Sequence, residues 1–567
     1  QDRPLIQSNT FGEINARHIG PATMSGRISA IDAVQDDPRI VYVGSASGGI
    51  WKTENGGIKF KPVFDEHTMS IGALAIDQSH PDTVYAGTGE SWVRNSVSVG
   101  DGIYKTTDGG DSWNNTGLKE TERIARIVIN PNNPEIVYVA ALGHLWNPNQ
   151  QRGIFKTTDG GQSWEKIHFI DENTGCSDIT INPRNPDELY AGMWDFRRKA
   201  YTFRSGGDGS GLYKTSDGGE TWIELTEGLP SKPYGRIAVS VSPVSTNIVY
   251  ALIEAEKNGG LYRSDDHGES WKLVNRTVPM IERPFYFQQI YSDPVDTFRV
   301  YKPSFNLHVS NDGGEKFRVA YIGGGNVHVD HHAFWISKKN NDLLYLGTDG
   351  GVYKSIDGGK TWSMIRNLPV SQFYRVSVDL QNPYNVYGGL QDNGSWMGPS
   401  RSPGGINNSN WENVGFGDGF YTFPDDKDPN IIYWQWQGGN FVRYYKNTGE
   451  VKQIEPYGDS ETEDLRWNWN SAIAFSPSTN AMYVGSQYLF KSTDRGDTWQ
   501  RISDDLTRND KSRLVQDQSG GITLDNSTAE NYCTIYTIGE SPLNPNIIWT
   551  GSDDGLVHIT RNGGNTW

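Results

Sequence analysis

The sequence is poor in the features that mark several common classes of protein. Only two of its 567 residues are cysteines, Cys176 and Cys533, and they lie too far apart for a disulfide framework or a cysteine zinc motif. Asp and Glu number 68 against 51 Lys and Arg, and this net charge of −17 comes without a basic run, so we expect no nucleic-acid partner. No stretch approaches the ~20 apolar residues of a membrane helix, so we expect no direct membrane insertion.

The residues that are plentiful point to short strands and tight turns. Hydrophobic residues make up only 35% of the chain, yet it contains 19 Trp, 28 Tyr and 20 Phe, which disordered chains lack. Gly (65) and Pro (27) are abundant as well, and this combination excludes an all-α fold. The chain starts at Gln1 without an apolar leader, which predicts the mature form of an exported protein.

One motif, Ser/Thr-x-Asp-x-Gly-x-Ser/Thr-Trp, recurs along the chain, for example as TTDGGDSW and STDRGDTW. We call it the Asp-box. A short carboxylate at this position accepts backbone N–H groups, and glycine supplies the positive φ of the turn. Because so many copies cannot form one active site, we predict a structural role for the aspartates. They are Asp108, Asp159, Asp217, Asp266, Asp312, Asp357 and Asp494.

Alternating strands such as IVYVG, TVYAG and LLYLG precede the Asp-boxes. Four antiparallel strands repeated every 40–50 residues are typical of an all-β propeller. Spacing predicts eleven units. We therefore predict tandem propellers, with about seven blades over residues 1–367 and about four blades of a second ring over 368–567 that needs residues beyond Trp567. A single ten-bladed ring is the alternative.

These segments resemble a known group of proteins. The stretches SGRISAI, YVGSASGGIWKT, HVDHHAFWI, YLGTDGGVYKS, VYGGLQDNGSWMGPSR and LRWNWNSAI are similar to those of exported bacterial proteins with sortilin-like Asp-box (BNR) propellers. That group is related in fold to the two-propeller xyloglucanases and to sortilin ectodomains. The resemblance implies an exported protein that is extracellular or associated with the cell surface or outer membrane, in a Gram-negative bacterium.

The resemblance also directs attention to carboxylates. Sialidases carry an Arg-Ile-Pro motif, whereas here Arg27 and Ile28 are followed by Ser29, which argues against that activity. In xyloglucanases a first-blade turn supplies one acidic catalyst, but the matching GSASGG has no carboxylate. The remaining catalytic candidates are Asp349 in TDGG and Asp392 in LQDNG, since glycoside hydrolysis needs two facing carboxylates.

Polar residues at the entries of inner strands form two further candidate sites. Arginines around a propeller mouth would suit a carboxylate or an acidic sugar. Alternatively, each arginine pairs with a neighbouring blade. These binding candidates are Arg27, Arg126, Arg236 and Arg375. His328, Asp330 and His332 share one face of a strand and are candidate metal ligands. The alternative is a hydrogen-bonded cluster in the channel, partly in the loop before the strand.

Tryptophans outside the Asp-boxes are concentrated in the second half of the chain. Alternation in WQWQGG and RWNWN places Trp434 with Trp436, and Trp467 with Trp469, on one side each. Exposed pairs would stack on sugars or anchor a protein, and the alternative is packing between blades.

Three functions remain open from the sequence. The first is a non-catalytic exported binding or scaffold protein in a surface assembly, with a protein or glycan partner. The others are a polysaccharide hydrolase of the two-propeller xyloglucanase type and a metal-dependent hydrolase. We favour the first, which needs no cofactor.

Overall fold

The computed structural model describes residues 17–21, 26–95, 97–321, 327–458 and 464–567. The described chain folds into eleven antiparallel sheets that follow one another in sequence, and we number them blades 1 to 11. Helix is confined to α1 (Val278–Ile281), α2 (Pro284–Phe287) and the 3-10 turns Lys119–Thr121, Asn408–Asn410 and Gln516–Gln518. Among these residues no helix has the length and apolar character needed to span a bilayer. The all-β propeller class predicted from the Asp-boxes is confirmed.

Most blades consist of four strands in sequential order. Blades 1 to 3 contain β1 (Ile28–Ala33), β2 (Val41–Ser45), β3 (Ile50–Thr53), β4 (Lys61–Pro62); β5 (Ile71–Ile76), β6 (Val84–Thr88), β7 (Ile103–Thr106), β8 (Asn114–Gly117); β9 (Ile124–Ile129), β10 (Val137–Ala141), β11 (Gly153–Thr157) and β12 (Glu165–His168).

Blade 4 is larger because β15 extends it. Blades 4 to 7 contain β13 (Thr174–Ile181), β14 (Leu189–Lys199), β15 (Thr202–Ser205), β16 (Gly211–Thr215), β17 (Ile223–Glu224); β18 (Tyr234–Val241), β19 (Val249–Ala255), β20 (Gly260–Ser264), β21 (Lys272–Asn275); β22 (Tyr291–Ser292), β23 (Val300–Pro303), β24 (Leu307–Ser310), β25 (Arg318–Val319); β26 (His331–Ile336), β27 (Leu344–Thr348), β28 (Gly351–Ser355) and β29 (Ser363–Met364).

Blade 11 has three strands in the described chain, and β42 belongs to blade 4. Blades 8 to 10 contain β30 (Phe373–Val378), β31 (Asn385–Leu390), β32 (Gly394–Pro399), β33 (Glu412–Gly415); β34 (Thr422–Pro424), β35 (Ile431–Trp436), β36 (Asn440–Tyr445), β37 (Glu450–Gln453); β38 (Ala472–Phe475), β39 (Met482–Gly485), β40 (Leu489–Ser492) and β41 (Gln500–Arg501). The short β42 (Gly520–Gly521) follows. Blade 11 contains β43 (Ile535–Ser541), β44 (Asn544–Ser552) and β45 (Val557–Thr560).

The tyrosine that recurs in the second strand of the blades has a structural role. The hydroxyl of Tyr42 in blade 1 donates to the carbonyl of Gly109 in the Asp-box of blade 2, at 2.9 Å. Tyr85 and Tyr138 make the same contact with the Asp-boxes of blades 3 and 4. Their rings are buried, so the tyrosine supplies apolar packing and satisfies its hydroxyl at once. Strand and turn motifs therefore interlock between neighbouring blades.

Blades 1 to 7 form a closed circle. The first strands of blades 1 to 6 pack on those of their neighbours, and β26 of blade 7 packs on β23 of blade 6 and on β1 of blade 1. Ile28 and Val41 of blade 1 share a core with Trp335 and Tyr345 of blade 7, and the Tyr345 hydroxyl donates to the carbonyl of Pro38. Contacts therefore run from blade to blade through blade 7 and return to blade 1. The division of the chain at residue 367 stays a proposal.

Blades 8 to 11 return to the first circle through a long segment after β41. β42 pairs in parallel with β15 of blade 4. Beside it, Arg198 and Glu530 form an ion pair at 2.8 Å in which both side chains are 2% exposed. These contacts fix blades 8 to 11 against blades 1 to 7 and leave a cleft between the two groups.

Candidate functional site

Four aspartates from the loops of blades 7 and 8 meet in this cleft. Asp330 precedes β26, Asp349 lies in the turn from β27 to β28, Asp392 in the turn from β31 to β32, and Asp418 follows β33. Carboxylate oxygens of Asp330, Asp349 and Asp392 all lie within 4.8 Å of one another. Asp418 accepts the backbone N–H of Asp392 at 3.0 Å. The two catalytic candidates from the sequence, Asp349 and Asp392, are thus neighbours.

The turns that carry these residues are under constraint. Asp330 and Asp392 have positive φ angles of 63° and 56°, which non-glycine residues rarely adopt. Between β27 and β28, a Cβ on Gly350 would stand 2.4 Å from the ring of His328, so only glycine fits. Backbone strain of this kind concentrates at functional sites because the surrounding structure must hold it in place.

Asp349 is the fixed anion of the cluster. It is buried, and both of its oxygens have partners: Arg27 Nε donates to Oδ1 at 2.8 Å, and the Tyr286 hydroxyl donates to Oδ2 at 2.7 Å. His332 Nε2 lies 2.9 Å from Oδ1. Burial alone would raise the pKa of Asp349, but Arg27 and His332 hold it well below its usual range. Asp349 therefore stays ionised and cannot reach a ligand.

The other three carboxyls hold protons more strongly. Burial, together with the charges of Asp418 and Asp349, raises the pKa of Asp392 well above its usual range. Burial and Asp349 raise the pKa of Asp330 to about 7. The pKa of Asp418 is also raised, again chiefly by burial. Since the side chain of Asp392 is 22% exposed, a proton on it can be passed to a molecule in the cleft.

The cleft in front of these carboxyls has a volume of about 510 Å³ and walls from both groups of blades. Tyr286 and Arg283 come from the first circle, whereas Trp469 and Asp525 come from the second group. Trp469 also lines an adjoining aromatic cavity of about 390 Å³. A larger groove lies on blades 10 and 11, but no comparable carboxyl cluster is found among the described residues that line it. The arrangement suits an elongated polar ligand that crosses the boundary between the two groups.

Comparisons with known proteins show which families this chain resembles. A family profile described as "Sortilin, neurotensin receptor 3" (Sortilin-Vps10) matches residues 101–236. A xyloglucanase from a Paenibacillus species is 24% identical over 242 residues, which cover 37% of this chain and 22% of that protein. An oligoxyloglucan-reducing end-specific xyloglucanase from Emericella nidulans is 23% identical over 229 residues, which cover 37% and 24%. The matched part thus spans about a quarter or less of these relatives' length.

Among solved structures, an ancestral GH74 enzyme superposes with a TM-score of 0.59 at 16% identity, covering 96% of this chain and 76% of that one. This likeness shows the fold. The chain is a β-propeller protein with Asp-box repeats, and its residues 101–236 resemble the sortilin family.

The histidine motif of this propeller does not form the predicted ligand set. β26 begins at His331, so His328 and Asp330 lie in the loop before the strand and do not share a strand face with His332. The ring of His328 contacts the carbonyl oxygens of Val329 and Asp392, while His332 is directed at Asp349. Asp330 groups with Asp349 and Asp392 instead. The metal site with His328 and His332 as ligands is not what the structure shows.

The predicted arginines mostly have partners in the propeller. Arg27 donates to Asp349, Glu90 and Tyr286, and its Nη2 also lies 3.8 Å from Oδ2 of Asp392. Arg126 pairs with Asp178 of the next blade at 2.9 Å, and Arg236 donates to the carbonyl of Phe285 at 2.7 Å. Arg126 therefore pairs with a neighbouring blade, and Arg236 pairs with α2, which lies between blades 5 and 6, so neither is free for a ligand in the predicted way.

Arg375 is the predicted arginine that faces open space. It is half-buried, stacks over Tyr421 and lines the aromatic cavity. It is therefore the member of the predicted set that a ligand in that cavity could reach.

The tryptophan pairs are not exposed pairs. Trp434 is buried against Gly415, Trp436 packs on Phe416 with 4.3 Å between ring centroids, and Trp467 packs on Gly439. The prediction of exposed pairs is wrong because blade sheets are covered on both faces by their neighbours, so alternation does not imply a solvent face. Trp469 differs, since its edge lines both cavities. A binding role for it stays a prediction.

The Asp-box aspartates sit in the turns as local acceptors. In the box of blade 3, Asp159 Oδ1 accepts from the Thr157 hydroxyl at 2.7 Å and from the N–H of Ser163 at 3.0 Å. The Thr157 hydroxyl oxygen in turn accepts the N–H of Gly161. The boxes of the other blades repeat this pattern far from the cleft, for example at Asp108 and Asp217.

Several cleft residues carry no signal in the sequence. Glu90 and Arg94 lie in an irregular loop between β6 and β7, Tyr286 lies on the one-turn α2, and Asp418 sits in a glycine-rich loop. None belongs to a repeated motif. A polar residue that does not belong to the repeat has no repeated structural role. Such residues could therefore have been selected from the sequence as candidates for a site.

Proposed function

We propose that this propeller binds a glycan in the cleft and cleaves a glycosidic bond there, with Asp392 as the proton donor. One observation carries the proposal. Asp392 and Asp330 are partly exposed carboxyls on the wall of one cleft, and their surroundings keep a proton on Asp392. Paired carboxyls with separated proton affinities are what general acid catalysis of glycoside hydrolysis requires.

The spacing favours a double displacement. Retaining glycosidases hold their carboxyls about 5–5.5 Å apart, and inverting ones about 6.5–9.5 Å apart. The distance of at most 4.8 Å between oxygens of Asp330 and Asp392 lies nearer the first class. Asp392 gives its proton to the glycosidic oxygen while Asp330 attacks the anomeric carbon. Asp392 then takes a proton from water, whose oxygen displaces Asp330.

The other residues of the cleft act through position and charge. Arg27 and Tyr286 hold Asp349 as an anion. Burial, together with the charges of Asp418 and Asp349, keeps the pKa of Asp392 high. Trp469 offers an indole edge at the point where the cleft meets the aromatic cavity, and such rings pack on sugars. Because the curated relatives are xyloglucanases, β-glucan chains are the first substrates to test.

A second candidate is binding without turnover, by an exported scaffold at the cell surface or outer membrane with a protein or glycan partner. Two observations favour it. The first-blade turn offers Ala46 and Ser47 where the resemblance would require an acid, and Asp349 has no free oxygen.

Reducing-end release from xyloglucan, other β-glucans and uronate-containing glycans by the purified propeller separates the two candidates. The proposal expects measurable release, with an initial product of retained anomeric configuration by NMR. Binding of a glycan without any release supports the scaffold, and a product of inverted configuration contradicts the assigned pair.

A further inference from the structure

One arginine in the cleft, Arg94, forms no ion pair with any residue that the structure describes. Arg94 lines the cleft and is only 6% exposed, with its guanidinium carbon 5.2 Å from the ring centre of Tyr286 and 5.7 Å from that of Trp469. Within the described ranges its guanidinium makes no hydrogen bond or ion pair, and its Nε is buried without an acceptor. The two rings hold the group in place from opposite groups of blades.

The neighbouring cations are different. Arg27 pairs with Asp349, and Arg283 pairs with Asp525 at 2.8 Å. A buried guanidinium N–H without an acceptor is costly, because it has given up water without gaining a hydrogen bond, and this holds for Nε of Arg94. Proteins retain such an arginine where a ligand supplies the missing anion, and the planar fork matches a carboxylate in a bidentate manner.

The nearby acids do not fill this role. Neither Asp392 nor Asp418 forms an ion pair with Arg94. Burial raises the pKa of both carboxyls, and the charge of Arg94 opposes this rise at Asp418. Asp349 is already neutralised by Arg27. A ligand carboxylate beside Arg94 would therefore meet a cation that forms no ion pair with the described residues.

We propose that Arg94 binds the carboxylate of a uronic-acid residue, so that the glycan taken by the cleft is an acidic one. This inference rests on the proposed function of the cleft as a glycan site. It adds the substrate class, which is a glycan with a uronic-acid residue. The carboxylate of that residue would contact Arg94 while the scissile bond lies beside Asp392. Tyr286 and Trp469 would orient the guanidinium plane before the ligand arrives.

The test compares trigalacturonate with its methyl ester, which has the same sugar rings but no charge, by isothermal titration calorimetry. The wild-type propeller should bind the acid about tenfold or more tightly than the ester. Arg94→Gln should bring the ratio to about one, and Arg94→Lys, which keeps the charge but loses the fork, should give an intermediate ratio. The exposed Arg39→Gln serves as the matched control and should keep the wild-type ratio.

The outcomes separate this inference from the proposed function. If neutral β-glucans bind as tightly as the uronate, or if wild-type binding does not distinguish acid from ester, the inference is overturned while the glycan cleft stands. If uronate binds through Arg94 but no glycan is cleaved, the inference stands and the hydrolase is overturned. Binding of neither class overturns both. Because the wild-type comparison needs no variant, a folding defect in Arg94→Gln cannot leave the question open.

Discussion

At the scale of single residues, identical side chains take different roles because their surroundings differ. Asp349 and Asp392 both follow a strand and enter a tight turn, yet Asp349 meets Arg27, Tyr286 and His332, whereas Asp392 meets mainly other carboxyls. The first is kept ionised and the second is kept protonated. Sequence reasoning could nominate both residues, but it could not tell them apart, since the partners come from remote blades.

The acid–base pair predicts a particular pH dependence. Asp330 must be ionised to attack, and its pKa is raised to about 7, so kcat/KM should rise with pH up to about 7. It should fall again at higher pH as Asp392 loses its proton. The measurement is kcat/KM for glycan cleavage between pH 4 and 10. A single acidic optimum near pH 5 would rule out Asp330 as the attacking group.

At the scale of elements, the turn motif was predictable and the aromatic pattern was not. The Asp-box is a local motif. Asp159 and its hydrogen-bond partners lie within seven residues, so the hydrogen bonds of the turn can be predicted from the sequence motif alone. The fate of the paired tryptophans depends on how neighbouring blades and loops cover them. Trp434 and Trp436 both became packing residues because Gly415 and Phe416 of the preceding blade lie against them.

Loss of one Asp-box carboxylate should weaken the fold without touching the site. Asp159→Ala removes the acceptor for Thr157 and Ser163 in the turn of blade 3, and we expect the melting temperature to fall by about 1–3 °C. Asp159→Asn, which keeps one acceptor oxygen, should lose less. Differential scanning calorimetry measures this, with glycan affinity as the control. An unchanged melting temperature with lost affinity would show that the box has a binding role.

At the scale of the whole molecule, the cleft exists because two groups of blades are held together. Arg27 and Asp349 are 322 positions apart, and Arg94 meets Trp469 only across the boundary between the groups. The sequence repeat predicts the blades, but it does not predict which loops face each other. Two aspartates of the site could therefore be named from the sequence, whereas their arrangement in a cleft could not be predicted. The same holds for the segment around β42, which no repeat predicts.

Removing the buried ion pair between Arg198 and Glu530 should loosen the contact between the two groups of blades and open the cleft. Glu530→Ala leaves Arg198 buried without its counter-ion, which should cost about 3–5 kcal/mol. Urea unfolding and limited proteolysis of residues 505–531 measure the effect. The double variant Arg198→Met with Glu530→Leu replaces the pair by apolar side chains and should regain most of the stability. Equal stability of Glu530→Ala and wild type would mean that the pair does not hold the segment.

The central claim is that Asp392 is the proton donor of a glycan-cleaving cleft. The most direct measurement is the cleavage rate and glycan affinity of Asp392→Asn beside the exposed control Asp36→Asn. The amide keeps the size of the side chain but cannot donate to the glycosidic oxygen as an acid, so we expect a loss of at least about 100-fold in kcat with affinity within about threefold of wild type. The control should keep both values. Cleavage by Asp392→Asn at the wild-type rate would contradict the claim.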